Sequence, residues 1–209
     1  MNVTFDGLQI IDNDFVSSDP EIKIELTSNS SSPITDTSAV SILLNNKPIY
    51  FSENVDKINY SINAGNPKFI LTYKPHLNDG NYSLKVTGKS NTTPYANETA
   101  VEYNFTVTNS LQLMNVYNYP NPFSSDTYFT FKLTTIPEEL KIKIFTIAGR
   151  LVKQFDLKAS ELNYDFNRIN WDGRDEDGDL LANGVYLYKI ITSKSGEVKT
   201  QIQKLTIVH

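Results

Sequence analysis

The sequence predicts an all-β chain folded as two tandem antiparallel β-sandwiches. Three observations predict it. Apolar and polar residues alternate with period two in many short runs. Asn, Asp, Gly and Pro clusters separate these runs, and such clusters make turns. No stretch shows the 3.6-residue apolar periodicity of a helix of ordinary length. Short strands at this spacing indicate a sandwich.

Taken in order, Val3 and Phe5 lead into a turn at Asp6-Gly7, followed by Leu8, Ile10 and Ile11. In EIKIELTS, Ile22, Ile24 and Leu26 face one way and Lys23 and Glu25 the other. Pro20 stands just ahead, where a strand tolerates proline. SNSSSPITDTS is a polar loop. VSILLNNKPIYF reads as a hairpin around Asn45-Asn46, because Asn accepts the positive φ such turns require. INYSI and KFILTY are two further strands. In KPHLNDGNYSLKVTG the turn Asn78-Asp79-Gly80 precedes Tyr82, Leu84 and Val86, which alternate with Ser83, Lys85 and Thr87. This run resembles the L-x-D-G-x-Y-x-L-x-V pattern that opens a strand in Ig-like and fibronectin-type bacterial modules. A polar loop, KSNTTPYANET, then leads to VEYNFTV, with Val101, Tyr103, Phe105 and Val107 on one face. Residues 1–108 are thus expected to form an Ig-like or fibronectin-like spacer domain. The boundary falls near Thr108-Asn109-Ser110, and so short a linker predicts a semi-rigid tandem.

The second domain is expected over 112–209. LQLMNVYNYPNPF, DTYFTFKL and IPEELKIKIFTI open it. Lys141 and Lys143 alternate with Ile142 and Ile144, with Ile147 a further candidate for the inner face. Ala148-Gly149-Arg150 turns the chain into LVKQF, and ASELNYDF is a loop or a helical turn. In FNRINW the large apolar positions are Phe166, Ile169 and Trp171, the chain's single tryptophan. Trp171 demands a large apolar enclosure and a partner for its indole N–H. The Asp- and Gly-dense stretch Asp172–Asp179 is turn-forming, and Asn183-Gly184 is a second turn. Val185, Leu187 and Ile190 then alternate imperfectly with Tyr186, Tyr188 and Lys189. Val198–Val208 is the terminal strand.

Composition sets bounds. A chain of 209 residues with 39% hydrophobic and 11% aromatic content can build packed cores. Net charge of −5 argues against general nucleic-acid binding, which needs a basic face. With no cysteine there is no disulfide, thiolate metal site or cysteine nucleophile. No apolar run approaches the roughly 20 residues needed to span a membrane as a helix. MNVTFDGLQI lacks a basic region followed by an apolar core, so no signal peptide is visible, and an exported parent would carry its signal upstream. A monomer is expected.

Four segments carry a resemblance, in one order: Tyr119-Pro120-Asn121-Pro122-Phe123; Ile142 to Phe155, a strand, an A-G-R turn and a strand; W-D-G-R-D from Trp171 with N-G-V-Y-L-Y-K from Asn183; and the Lys-bearing terminal strand. Together they resemble the Ig-like module found at the C-terminus of many bacterial surface proteins. That family includes the type IX secretion C-terminal sorting domains and the FlgD-type Ig-like domains. The match covers about residues 112–209. The loop Lys158–Asn167 is longer than the family pattern, and the ending TIVH departs from it. The resemblance implies that Tyr119, Pro120, Asn121, Pro122, Phe123, Gly149, Trp171, Gly184, Tyr186, Lys199 and Lys204 form a sorting motif. It also implies export to the cell surface, outer membrane or extracellular space, with translocon or shuttle components and an upstream passenger domain as partners. An Ig-like module followed by such a domain ends long surface proteins of the gingipain type and their sortase-like relatives. Any catalytic Cys and His would then lie upstream, and this chain would have no enzyme activity of its own.

Asp172, Asp175, Glu176, Asp177 and Asp179 are close enough to suggest a calcium site, for which Asp175, Asp177 and Asp179 are the best ligands. Placing Asp175 and Asp177 at the third and fifth positions of a helix–loop–helix calcium loop puts Gly173 first and Gly184 twelfth, so both anchoring ligands are missing. Turn formation is the plainer reading, and no other cofactor is expected. His76 has no partner at motif spacing, and His209 is the last residue. Glu138-Glu139 and Glu21/Glu25 read as solvated faces. Twelve tyrosines and eleven phenylalanines admit a sugar-binding or adhesive module as the alternative function, with Tyr50, Tyr60, Tyr95, Tyr117, Tyr164 and Tyr188 as the exposed candidates. Sequons at Asn29, Asn59, Asn81, Asn91, Asn97 and Asn104 arise largely from the Asn-, Ser- and Thr-rich composition. A flagellar hook scaffold role is a further alternative, but it requires a different N-terminal segment. On the terminal strand, lysines discourage unwanted edge pairing or mark an address, and composition does not separate the two.

Overall fold

The computed structural model describes residues 1–27, 36–63, 68–89 and 98–209, apart from the side chain of Asn63. Tyr95, the sequons at Asn29, Asn91 and Asn97, and most of two polar loops lie outside the described residues. The chain is all-β and forms two compact units, Met1–Thr108 and Asn109–His209.

In the first unit the strands are β1 (Asn2–Phe5), β2 (Asp14–Val16), β3 (Ile22–Thr27), β4 (Val40–Leu44), β5 (Lys47–Pro48), β6 (Ile58–Asn63), β7 (Lys68–Tyr73), β8 (Gly80–Gly88) and β9 (Thr99–Val107). They build two sheets, ordered β1-β3-β7-β6 and β2-β9-β8-β4-β5. The inward residues of each strand alternate as period two requires, and Ile22, Ile24, Phe69, Leu71, Leu84 and Phe105 form the buried centre. Asn45 and Asn46 both take positive φ, 50° and 61°, and close the β4–β5 hairpin. One pairing departs from the antiparallel expectation: β2 runs parallel to β9. Asp12 explains the placement, because its Oδ1 accepts both the backbone N–H and the side-chain Nδ2 of Asn104 and so lays the chain along β9.

The second unit contains β10 (Leu113–Tyr119), β11 (Thr127–Leu133), β12 (Glu139–Thr146), β13 (Leu151–Leu157), β14 (Asp165–Trp171), β15 (Gly184–Lys194) and β16 (Glu197–Ile207). A three-stranded sheet, β10-β11-β14, covers a four-stranded one, β13-β12-β15-β16. The core is aromatic at its centre. Phe129 lies 5.8 Å from Trp171, stacked, and 4.8 Å from Tyr188. The loop before β14 holds a short 3-10 turn, Ala159–Glu161.

Register and turn position decide which of these side chains point inward. Directly opposed residues share a face of a sheet. Ile142 pairs with Ile190 and Ile144 with Tyr188, so the even residues of β15 follow the buried isoleucines of β12. Tyr186 and Tyr188 are therefore inside, while Val185 is exposed and Leu187 half-buried. Tyr188 is fully buried and drops from the exposed aromatics; burial pushes its phenol far above the usual range. On β14, Trp171 fixes the parity, so Asn167 and Ile169 point inward with it and Phe166 points outward. Ile147 lies at the β12–β13 turn and is exposed. Among the remaining sugar-stacking candidates, Tyr50, Tyr60 and Tyr117 are exposed and Tyr164 is half-buried.

Candidate functional site

The hairpin joining β10 to β11 is braced from within. Asn118 is buried and its Nδ2 donates to the Thr127 hydroxyl at 3.1 Å and to the Pro120 carbonyl at 3.3 Å. Thr127 Oγ1 also donates to Pro120 O, at 2.8 Å. Both the Tyr119–Pro120 and the Asn121–Pro122 peptide bonds are cis.

The braced segment grips the terminal strand. Asn121 Nδ2 donates to the Lys204 carbonyl at 3.1 Å, and its Oδ1 accepts the Thr206 N–H at 2.9 Å. Two residues on, Phe123 N–H donates to Thr206 O at 3.1 Å and Phe123 O accepts Val208 N–H at 2.9 Å. Phe123 thereby forms a parallel bridge to Ile207. One amide side chain and one short backbone bridge thus occupy the free edge of β16 over Lys204–Val208.

The clamp is anchored in the core. The Phe123 ring is buried 5.7 Å from Trp171. Trp171 Nε1 donates to Arg174 O at 2.9 Å, the partner a buried indole requires. Gly173 has φ of 75°, and a Cβ there would stand 3.2 Å from the Phe123 ring, so this turn needs glycine for conformation and for space. Leu181 N–H returns to Gly173 O at 3.1 Å. His209 closes the rim: its N–H donates to Asn183 Oδ1 at 2.8 Å, and its ring nitrogens lie 2.9 Å from Ser124 O and 3.1 Å from Leu181 O.

The acidic stretch is a turn docked on β13. Asp175 Oδ1 accepts the N–H groups of Asp177 at 3.0 Å and Asp179 at 2.9 Å. Glu176 Oε1 accepts Gln154 N–H at 2.8 Å, and Lys153 Nζ donates to Glu176 Oε2 at 3.3 Å. The Gln154 amide and then the Lys153 ammonium hold the Glu176 carboxyl below the usual glutamate value. Among the described residues no three His, Cys, Asp or Glu side chains gather as a metal site.

The sorting-motif residues divide by place. Pro120, Asn121, Phe123, Trp171 and the backbone of Lys204 meet at the clamp. Gly184 faces Ile207, and Tyr186 faces Leu205, across the β15–β16 ladder; the Tyr186 hydroxyl donates to Ala182 O at 2.9 Å. Tyr119 instead points out from the three-stranded sheet. Gly149, with φ of 87°, belongs to the β12–β13 turn. Lys199 pairs with Glu197 at 2.7 Å on the exposed end of β16. Asn118 and Thr127 carry no signal of their own in the sequence, and Gly173 is marked only as part of W-D-G-R-D, although each sits beside a motif residue.

The other chemical candidates are bonded at the surface. His76 Nδ1 lies 2.6 Å from Asp19. Glu21 pairs with Lys74 at 2.7 Å, Glu25 with Lys23 and Lys68 at 2.9 and 3.2 Å, and Glu139 with Lys141 at 3.3 Å. Glu138 accepts Ser195 N–H at 3.1 Å.

Comparison with known proteins adds a resemblance to this geometry. Residues 118–196 match the family model of the FlgD Ig-like domain, so the match ends just before β16. No curated protein matches the chain. Among solved structures, the chain is similar to dimeric latent PorU from Porphyromonas gingivalis, with 17% identity and a TM-score of 0.41 over 100% of this chain and 20% of that one. The chain thus spans about a fifth of that protein's length. The second unit is an Ig-like domain, and over residues 118–196 it is similar to the FlgD type.

Proposed function

We propose that this chain is a non-catalytic part of a larger exported bacterial protein, and that its second unit is a type IX secretion sorting domain. On this reading the translocon or its shuttle components recognise the unit and bring an upstream passenger to the cell surface. One observation carries the reading. The Tyr119–Phe123 motif, the Trp171 turn and the terminal strand, far apart in sequence, form one bonded network around the end of β16. The clamp seals only the last residues of that strand. Thr206 directs its N–H and C=O to the free edge, so by alternation Val198, Thr200 and Ile202 do so too. From Glu197 to Lys204 the strand is largely exposed on both faces. A sheet edge held firmly at one end and open at the other offers main-chain bonds to a recognising partner.

The test fuses an export signal and a fluorescent reporter to the chain in a bacterium with a type IX system. The intact chain is compared with one lacking Val198–His209 and with Asn121→Ala. Reporter in the medium with the intact chain, and folded reporter held in the periplasm with the deletion, is the expected result. Equal secretion of the intact and deleted chains overturns the reading.

A further inference from the structure

The outer face of the three-stranded sheet, away from the clamp's core, is built as a groove. Its middle row across β10, β11 and β14 is Tyr117–Thr130–Arg168. The next row on one side contributes Tyr119 and Tyr128, and the row on the other side contributes Phe166. A bulge between Met114 and Tyr117, with Asn115 at φ of 51°, sets the parity that turns Tyr117 and Tyr119 outward while Val116 and Asn118 stay inside. Tyr119 is 72% exposed, Tyr117 51% and Phe166 47%. Thr130 between them is short and buried, and its hydroxyl is committed to Tyr117 O at 3.0 Å. It forms the floor of a groove of about 420 Å³ walled by the aromatic rings and Arg168. That volume lies within the usual range for ligand sites.

The groove holds one unneutralised charge. The Arg168 guanidinium carbon stands over the Tyr128 ring, 3.4 Å from its centre, and Arg168 makes no salt bridge or hydrogen bond among the described residues. Lys132 on the same face is neutralised by Asp165 at 2.7 Å. Stacking leaves the guanidinium edge free to fork a carboxylate. The main-chain groups of a sheet point along its plane and not out of its face, so an extended peptide laid on this face finds no main-chain partners. A uronic acid in pyranose form needs none, because its C–H face rests on aromatic rings and its carboxylate pairs with the cation.

We propose that this groove binds a uronic-acid oligosaccharide, with sugar faces on Tyr117, Tyr119 and Phe166 and a carboxylate on Arg168. The site is independent of the sorting role. The test is calorimetric titration of the full 209-residue chain with tetragalacturonate, with neutral galactotetraose and with tetraglutamate. The expected result is saturable binding of tetragalacturonate, weakened at least about tenfold by Arg168→Gln and by Tyr117→Ala, and unchanged by Tyr60→Ala in the first unit. Trp171 fluorescence checks that each second-unit variant is folded. No binding of tetragalacturonate, equal binding by folded Arg168→Gln, equal binding of galactotetraose, or equal binding of tetraglutamate overturns the proposal. The comparison of the three ligands on the unsubstituted chain decides the matter even if a variant fails to fold.

Discussion

Asn121 and Thr206 lie 85 residues apart, yet the Asn121 side chain pairs with the Thr206 amide as a neighbouring strand would. With its second bond to Lys204 O, one amide group stands in for a piece of β-ladder at the sheet edge. Asn121→Ala removes both bonds. Net hydrogen-bond contributions near 1 kcal/mol each predict a loss of about 1–2 kcal/mol from the second unit. Trp171 reports on this unit alone, so urea unfolding followed by tryptophan fluorescence reads the loss directly. Faster amide exchange at Thr206 should accompany it, and an unchanged midpoint with unchanged exchange would count against the clamp.

Phe123 is the apolar half of the same device. Phe123→Ala opens a cavity against Trp171 and is expected to cost about 3–5 kcal/mol. The tryptophan transition should move to much lower denaturant. A shift below about 0.5 kcal/mol, typical of surface positions, would mean the ring is not a core element.

The Asp175 turn separates a structural role from a metal role. Its Oδ1 already accepts two backbone amides. Asp175→Ala is expected to cost about 1–2 kcal/mol, equally in EDTA and in calcium. A cost seen only with calcium present would instead identify a metal site.

Acid should weaken the second unit through Glu176. Its folded-state pKa is lowered by the Gln154 amide and Lys153, below the ordinary value of 4.5. On acidification the unfolded chain therefore binds the proton first. The stabilisation is complete above about pH 4.5 and is lost as pH falls through the folded value. Melting measured by Trp171 fluorescence from pH 6 to 3 should fall less steeply in Glu176→Gln. Parallel curves would show that this carboxylate contributes nothing.

Much of this arrangement is legible in the sequence, and the gaps have physical causes. Period-two runs mark most strands, and Asn45-Asn46 and Ala148-Gly149-Arg150 mark their turns, because local chemistry decides both. Strand parity is less secure where both faces are apolar or aromatic. In Val185–Ile190 the register with β12 chooses the tyrosine face, and no local signal in that run can report it. Phe166 faces outward for the same kind of reason: Trp171, five residues on, fixes the alternation. The bulge at Asn115 adds a residue that pattern reading does not count, and it is this residue that turns Tyr117 and Tyr119 outward. The contact of Asn121 with β16 is non-local and depends on the closed sheet edge. Sequence could name the motif and the strand, but only the fold brings them together.

The sorting role is tested most directly by where the reporter fusion of the intact chain ends up in two strains, one with a working type IX translocon and one without. The account predicts reporter in the medium or on the surface of the first strain and in the periplasm of the second. The same distribution in both strains would contradict it.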